Sequence, residues 1–406
     1  MRKTAATGLD SEAAERRNLP AMERVLASAA FSALAEEFSR ERVKEAAAAH
    51  LAALRGARVA WEEEAAVRAV RESLTRSTGS TLLPVINGTG VIIHTNLGRS
   101  PIDPALWQRA GETVTSYSNL ELDLETGGRG LRDDHLSALC VSVFGCDEAV
   151  LTNNNAAGTL LLLAAVAAGR EVIVSRGELV EIGGAFRVPD VIQQGGARLR
   201  EVGTTNRTRA SDYADAVSRK TAAILRVHRS NFEIVGFTET PSIAELGAVA
   251  RKKKVPLLYD EGSGRPVDLG RYGFASAPLV RDLFALGVDA VTCSTDKLLG
   301  ATQGGLILGS AALIGKVRRH PLMRALRAGK ESYAVIAETL RAFATGRYEA
   351  EVPIYRMLAT PLEVLRGRAE QLVRGTACDV IESRCALGGG TTPTETIPSV
   401  AIAVPG

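Results

Sequence analysis

Aromatic residues are scarce in this 406-residue chain, at 4% of positions with two tryptophans, and cysteines number only five. No apolar run approaches the roughly 18 to 20 residues that span a bilayer, since the stretch Leu160 to Ala168 is too short, so a helical membrane protein is excluded. The first residues, MRKTAATGLDSEAAERR, carry early basic groups but no apolar core after them, which predicts no secretory signal and a cytoplasmic protein. Cys140, Cys146, Cys293, Cys378 and Cys385 show no CxxC spacing, and only His135 lies near any of them. That pattern argues against zinc ligation or a disulfide framework and for reduced packing thiols. An excess of charge is also lacking: 49 basic against 46 acidic side chains leave +3, too little for non-specific coating of nucleic acid, although a local tRNA surface remains open.

What is present is a globular composition, 46% hydrophobic, in a chain long enough for two or three domains. The most informative stretch is Gly287 to Gly309. A short apolar strand, Val288 to Cys293, is interrupted by Ser294-Thr295-Asp296; a single Lys297 follows, then a glycine-containing turn and a second apolar run, Leu306 to Leu308. A lysine held between buried strands is pushed toward its neutral amine, the form that condenses with an aldehyde. Pyridoxal phosphate is the commonest client of such an amine. The alternative is a strand-end lysine that snorkels to water.

Two upstream segments favour the cofactor. Leu257 to Gly264 is a hydrophobic strand that delivers Asp260 into a Gly/Ser turn, where a carboxylate suits the protonated ring nitrogen of pyridoxal phosphate. Ala149 to Thr152 leads into Asn153-Asn154-Asn155-Ala156-Ala157-Gly158 and an apolar helix from Thr159 to Ala168. A strand, a small polar turn and a helix N-terminus are the ingredients of a phosphate cradle, whereas an Asn-rich turn alone is a helix cap.

Residues 1 to 75 read as helices with mixed charge; apolar spacings run through Met22, Val25 and Leu26, through Phe31, Leu34 and Phe38, and through Val43, Ala47, Leu51 and Leu54. Polar Ser77 to Ser80 marks a boundary. Arg99 sits in a Gly-Arg-Ser-Pro turn, where its planar fork could meet an oxyanion, and His94 reads as structural. Tyr117 to Leu124 alternates and meets the glycine-rich loop Glu125 to Gly130. From Asn153 to Gly309, strands alternate with helices, which predicts a mostly parallel sheet with its sites at the strand carboxyl ends. Polar clusters fall there, one of them His228-Arg229-Ser230-Asn231. Arg318 to Arg327 reads as one basic helix with Arg324 and Arg327 on a shared face. Glu331 to Val373 reads as mostly helical, and the chain then ends on the apolar run Val400 to Val404 with no closing element.

INGTGVIIHTNLGRSP (86–101), YSNLELDLETGGRG (117–130), TNNNAA (152–157), SRGELVEIGGAFRVPDVI (175–192), EVGTTNRT (201–208), VHRSNFEIVGFTE (227–239) and STDKLLG (294–300) resemble the bacterial L-seryl-tRNA(Sec) selenium transferases, the selenocysteine synthases. LPAMERVL (19–26) and IYRMLATPLEVLRGRAEQL (354–372) are similar to them too, so the likeness covers essentially the whole chain. The resemblance implies a fold-type-I, aspartate aminotransferase-like pyridoxal-phosphate transferase of α/β class. Its parts would be an N-terminal helical tRNA-binding domain at 1–75, a cofactor-binding domain at 76–325 and a small C-terminal α/β domain at 326–406, expected to be incomplete because relatives continue further.

It also implies seryl-tRNA(Sec) and selenophosphate as substrates and a homodecamer built as a pentamer of dimers. Lys297 would hold the cofactor and Asp296 act beside it, with Asp260, Asn154, Asn155, Ala156, Ser294 and His228 around the cofactor and Arg99, Arg324 and Arg327 on the selenium donor. Serine would lose its hydroxyl to leave a dehydroalanyl-tRNA, to which selenium adds. Two departures from the family are Thr295 before the lysine and Glu261 in place of a common leucine. The rival readings are a pyridoxal-phosphate lyase of a small amino acid or amino-sugar phosphate, and an inactive tRNA-binding homologue.

Overall fold

The computed structural model describes residues 19–184, 186–275 and 277–405; the leader reading falls on residues outside that range. The chain divides into two compact units, Met1–Ile86 and Asn87–Gly406. In the first, helices Met22–Leu26, Ala29–Phe38, Arg40–Ala57 and Glu63–Thr78 pack around Val25, Phe31, Leu34, Val43, Ala47, Leu51, Val70 and Leu74. These are the residues that the 3.6-residue spacing places on one side of each helix. Ser28 caps the second helix by accepting from the Phe31 amide. The last helix carries this unit past position 75, and Ser77 and Thr78 close it by donating their hydroxyls to the Leu74 carbonyl at 2.9 and 2.8 Å.

The second unit contains eleven strands among the described residues: β1 (Glu148–Thr152), β2 (Glu171–Ser175), β3 (Glu181–Ile182), β4 (Phe186–Arg187), β5 (Arg198–Val202), β6 (Thr221–Val227), β7 (Leu257–Gly262), β8 (Ala290–Ser294), β9 (Gly305–Gly309), β10 (Asp379–Gly388) and β11 (Thr392–Ala403). Seven of them form one sheet in the order β1-β9-β8-β7-β6-β2-β5. Only β9 runs against its neighbours; the other pairs are parallel. Both faces of the sheet are covered, which is why its inner strands are continuous apolar runs, whereas the edge strand β5, RLREV, is largely exposed. Leu151, Ile224, Leu257, Val291 and Leu306 point into one core with helices Asp134–Phe144 and Lys330–Ala344. Val150, Val172, Leu225, Leu258 and Ile307 point into the other with helices Asn155–Ala167 and Ala311–Arg319.

Three sequence expectations change. Arg318 to Arg327 is not one helix: Ala311–Arg319 ends, His320-Pro321 intervene, and only Leu322–Leu326 is helical. Arg327 therefore lies outside the turn that carries Arg324, in extended backbone that bridges Thr152. The C-terminal apolar run is paired as well. β10 and β11 form an antiparallel hairpin in which Val400 lies opposite Glu382. That hairpin is tied to the start of the unit, where the Ile92 and Ile93 amides donate to the carbonyls of Ala386 and Leu387 at 2.9 and 2.7 Å.

Candidate active site

Because β9 returns antiparallel beside β8, the connection between Ser294 and Gly305 is a tight excursion at the carboxyl end of β8, and Lys297 lies in it. The loop is pinned on several sides. Ser100 Oγ donates to the Lys297 carbonyl at 2.8 Å, the Leu298 amide to Ser263 at 3.0 Å, and the Tyr355 hydroxyl to the Leu298 carbonyl at 2.7 Å. Lys297 is only 7% exposed, far from the usual state of a lysine. Burial lowers the pKa of its amine, the Arg99 guanidinium lowers it further, and Asp260, Asp296 and Glu261 oppose the shift.

Asp260 sits in β7, buried beneath the same cavity. Its Oδ1 accepts from Asn155 Nδ2 at 2.8 Å and from Thr292 Oγ1 at 3.2 Å, and Thr292 is hydrogen-bonded in turn to Thr159 at 3.0 Å. Burial raises the pKa of this carboxyl, while Asn155, Lys297 and Thr292 pull it back. Asn154 caps helix Asn155–Ala167, its side chain accepting from the Ala157 amide at 2.9 Å. The turn packs so closely on β9 that a Cβ at Gly305 would lie 2.1 Å from the Asn154 carbonyl, which is why a glycine stands there. Asn155, the first residue of helix Asn155–Ala167, lines the cavity, and its side-chain Nδ2 holds Asp260.

These groups share a cavity of about 310 Å³ with Ala156, Ser294, His228, Asp296 and Arg99. Arg99, in left-handed backbone at φ 63°, pairs with Asp296 Oδ2 at 2.6 Å. Arg324 and Arg327 do not line it; they line a second cavity with Arg129, Arg132 and Glu121. Within this chain the three arginines expected to act together are thus divided between two cavities.

The geometry fits pyridoxal phosphate. A helix N-terminus at one place supplies amides for a phosphate, a buried carboxylate suits a ring nitrogen, and a buried amine suits the aldehyde. Asn155 Oδ1 and Asp296 Oδ1 are buried without a hydrogen-bond partner, so polar capacity is left over in this cavity.

Comparison with known proteins decides among the readings. The family described as "L-seryl-tRNA selenium transferase" matches residues 85–406, and that described as "Selenocysteine synthase N terminal" matches residues 16–55. The chain belongs to the L-seryl-tRNA selenium transferase family. It is a selenium transferase whose cofactor is pyridoxal phosphate. The L-seryl-tRNA(Sec) selenium transferase of Geobacter sulfurreducens is 47% identical over 82% of this chain and 74% of its own. That of Hyphomonas neptunium is 43% identical over 96% of this chain and 87% of its own. A solved D-glucosaminate-6-phosphate ammonia-lyase shares the fold, with a TM-score of 0.58 at 22% identity over 77% of this chain and 78% of that one.

Several lining residues of this selenium transferase escaped the sequence reading. Ile182, Gly183 and Phe186 of the β3–β4 hairpin, with Gln303, line the cavity beside Ser230 of the polar cluster after β6. The tip of the β10–β11 hairpin reaches it as well: His228 Nε2 donates to the Thr391 carbonyl at 2.9 Å, and the Gly390 amide donates to Ser230 at 2.9 Å. Three consecutive glycines, Gly388 to Gly390, were the available signal.

Proposed function

We propose that the chain converts seryl-tRNA(Sec) to selenocysteinyl-tRNA(Sec) with selenophosphate as donor. It does so in the cytoplasm as a homodecamer, a pentamer of dimers, with the unit that ends at Ile86 docking the tRNA. The observation that supports this most is the placement of Lys297, Asp260 and the Asn154-capped helix around one cavity in a chain of this family.

When bound, pyridoxal phosphate supplies an electron sink for bond breaking at the serine Cα. Lys297, whose amine burial makes easier to deprotonate, takes the Cα proton and can return one to the departing hydroxyl. Asp260 supplies the negative charge that a protonated ring nitrogen needs, and Asn155 and Thr292 fix its position. Asn154 and Ala156 present the helix N-terminus to the phosphate, while His228 and Ser294 line the cavity around the ring. Asp296 orients Arg99. Arg324 and Arg327 hold the anionic donor through guanidinium forks, while Arg99 offers its fork in the separate cavity of Lys297.

The test is turnover of seryl-tRNA(Sec) with selenophosphate, run beside free serine. Selenocysteinyl-tRNA(Sec) from the first and no reaction of the second is the expected result. Turnover of free serine at an equal rate would point to a small-molecule lyase. Retention of tRNA(Sec) should also be lost when the chain is shortened to begin at Asn87.

A further inference from the structure

The cavity beside Arg324 and Arg327, about 290 Å³, lies between the glycine-rich loop after Glu121 and the segment 318–327. Glu121 stands at its centre. One of its carboxylate oxygens accepts from Arg132 Nε at 2.6 Å and from Arg327 Nη1 at 2.9 Å; the other accepts from Arg129 Nη2 at 2.9 Å. Arg132 above all, then Arg129 and Arg327, hold this carboxyl below its ordinary pKa against a smaller cost of burial. Arg318 is engaged elsewhere, with Glu148 at 2.8 Å and Asp133 at 3.6 Å. Arg324 is exposed and lines the same cavity, and no ion pair engages it among the described residues.

Charge does not balance there. The five guanidiniums of Arg129, Arg132, Arg318, Arg324 and Arg327, set against the carboxylates of Glu121, Asp133 and Glu148, leave two positive charges over. A concave site with such a surplus draws in an anion, and guanidinium forks match phosphate oxygens. Two uncompensated charges suit a free phosphate-type dianion better than a nucleic-acid phosphodiester, which carries one.

Glu121 occupies the donors such an anion would use. The Glu121 side chain is 29% exposed and that of Arg129 73%, so water screens this pair and competes for it. The loop that carries it is a small hairpin, closed by the Asp123 amide to Gly128 at 2.9 Å and the Gly130 amide to Glu121 at 3.1 Å. It can release the carboxylate without disturbing the sheet.

We propose that Glu121 is a built-in counter-anion, and that a free phosphate-type dianion enters this cavity by displacing its carboxylate from Arg129, Arg132 and Arg327. The inference rests on the donor role given above to Arg324 and Arg327, and adds the residue that competes with the donor for them.

The experiment is calorimetric titration of the full-length, cofactor-loaded protein with inorganic phosphate at pH 8, so that the cofactor's own phosphate site is filled. Glu121→Gln should bind phosphate about tenfold more tightly than the wild type, the scale of one charge-assisted hydrogen bond freed. Arg324→Ala should weaken binding in both backgrounds. Equal affinity of wild type and Glu121→Gln, with Arg324→Ala still weakening it, overturns the role of Glu121 and leaves the donor site standing. Binding indifferent to Arg324→Ala overturns both. Dimethyl phosphate, a diester, should not compete; competition at equal concentration would make a nucleic-acid backbone the ligand and overturn the proposal. In the wild type, phosphate should speed amide hydrogen exchange across residues 121–130, and protection of that loop would contradict displacement without recourse to any variant.

Discussion

The carbonyl oxygen of Gly390 lies 3.4 Å from Lys297 Nζ, although 93 positions separate the two residues. Gly390 has φ +90°, and a Cβ there would stand 2.6 Å from Nζ. Gly390→Ala should therefore destabilise the protein by about 1–2 kcal/mol, the cost of left-handed backbone for a residue with a side chain. It should also slow recovery of visible absorbance when pyridoxal phosphate is added to cofactor-stripped protein. Denaturant melts and a mixing experiment read the two effects; an unchanged rate of uptake would show that the hairpin tip does not bear on the amine.

Burial lowers the Lys297 pKa, so the stripped protein should react with an aldehyde at lower pH than a free lysine does. The rate of cofactor uptake should rise with pH through a midpoint below about 10.4, the unperturbed value. The same shift bears on stability. Between the folded and unfolded pKa values the unfolded chain binds the extra proton, so this residue adds stability as pH rises through that window and none below it. A midpoint at the ordinary lysine value would contradict the desolvated environment.

Asp260 shows the opposite linkage. Its folded pKa is raised by burial, so above the ordinary carboxylate value the unfolded chain gives up its proton first and stability falls as pH rises toward the folded pKa. In stripped protein near neutral pH, Asp260→Asn should melt no lower than wild type. The same variant should hold pyridoxal phosphate at least about tenfold more weakly, as loss of a charge-assisted contact requires. Equilibrium dialysis measures the second effect, and undiminished affinity would remove Asp260 from the cofactor.

Arg324→Ala should leave loss of the serine hydroxyl intact and lower selenium addition by about 10- to 100-fold, the scale of one charged hydrogen bond. Following the two steps separately on seryl-tRNA(Sec) distinguishes the outcomes. Equal loss of both would count against a donor role.

What could be read before the structure follows from how local each signal is. Lys297, Asp260 and Asn154 each stand at or near the end of an apolar strand, so a few neighbouring residues placed them toward the strand carboxyl ends. The direction of β9 was not readable, because Gly305–Gly309 is a five-residue apolar run that looks the same in either sense. The bond from Asn155 to Asp260 was not readable for a related reason: the turn is visible, but its partner lies 105 positions away. Arg327 left the helix of Arg324 because its backbone bridges Thr152, a contact that helical spacing does not encode. Gly390 belonged to a visible glycine run, yet its approach to Lys297 depends on pairing between Asp379–Gly388 and Thr392–Ala403 that polar and proline-containing sequence did not advertise.

The central claim is that one buried amine, Lys297, carries the cofactor. Borohydride reduction of the loaded protein followed by digestion and peptide mapping tests it directly. The account predicts a single pyridoxyl label on the peptide containing Asp296-Lys297-Leu298 and none in Lys297→Ala. A label on any other lysine, or a labelled Lys297→Ala protein, would contradict it.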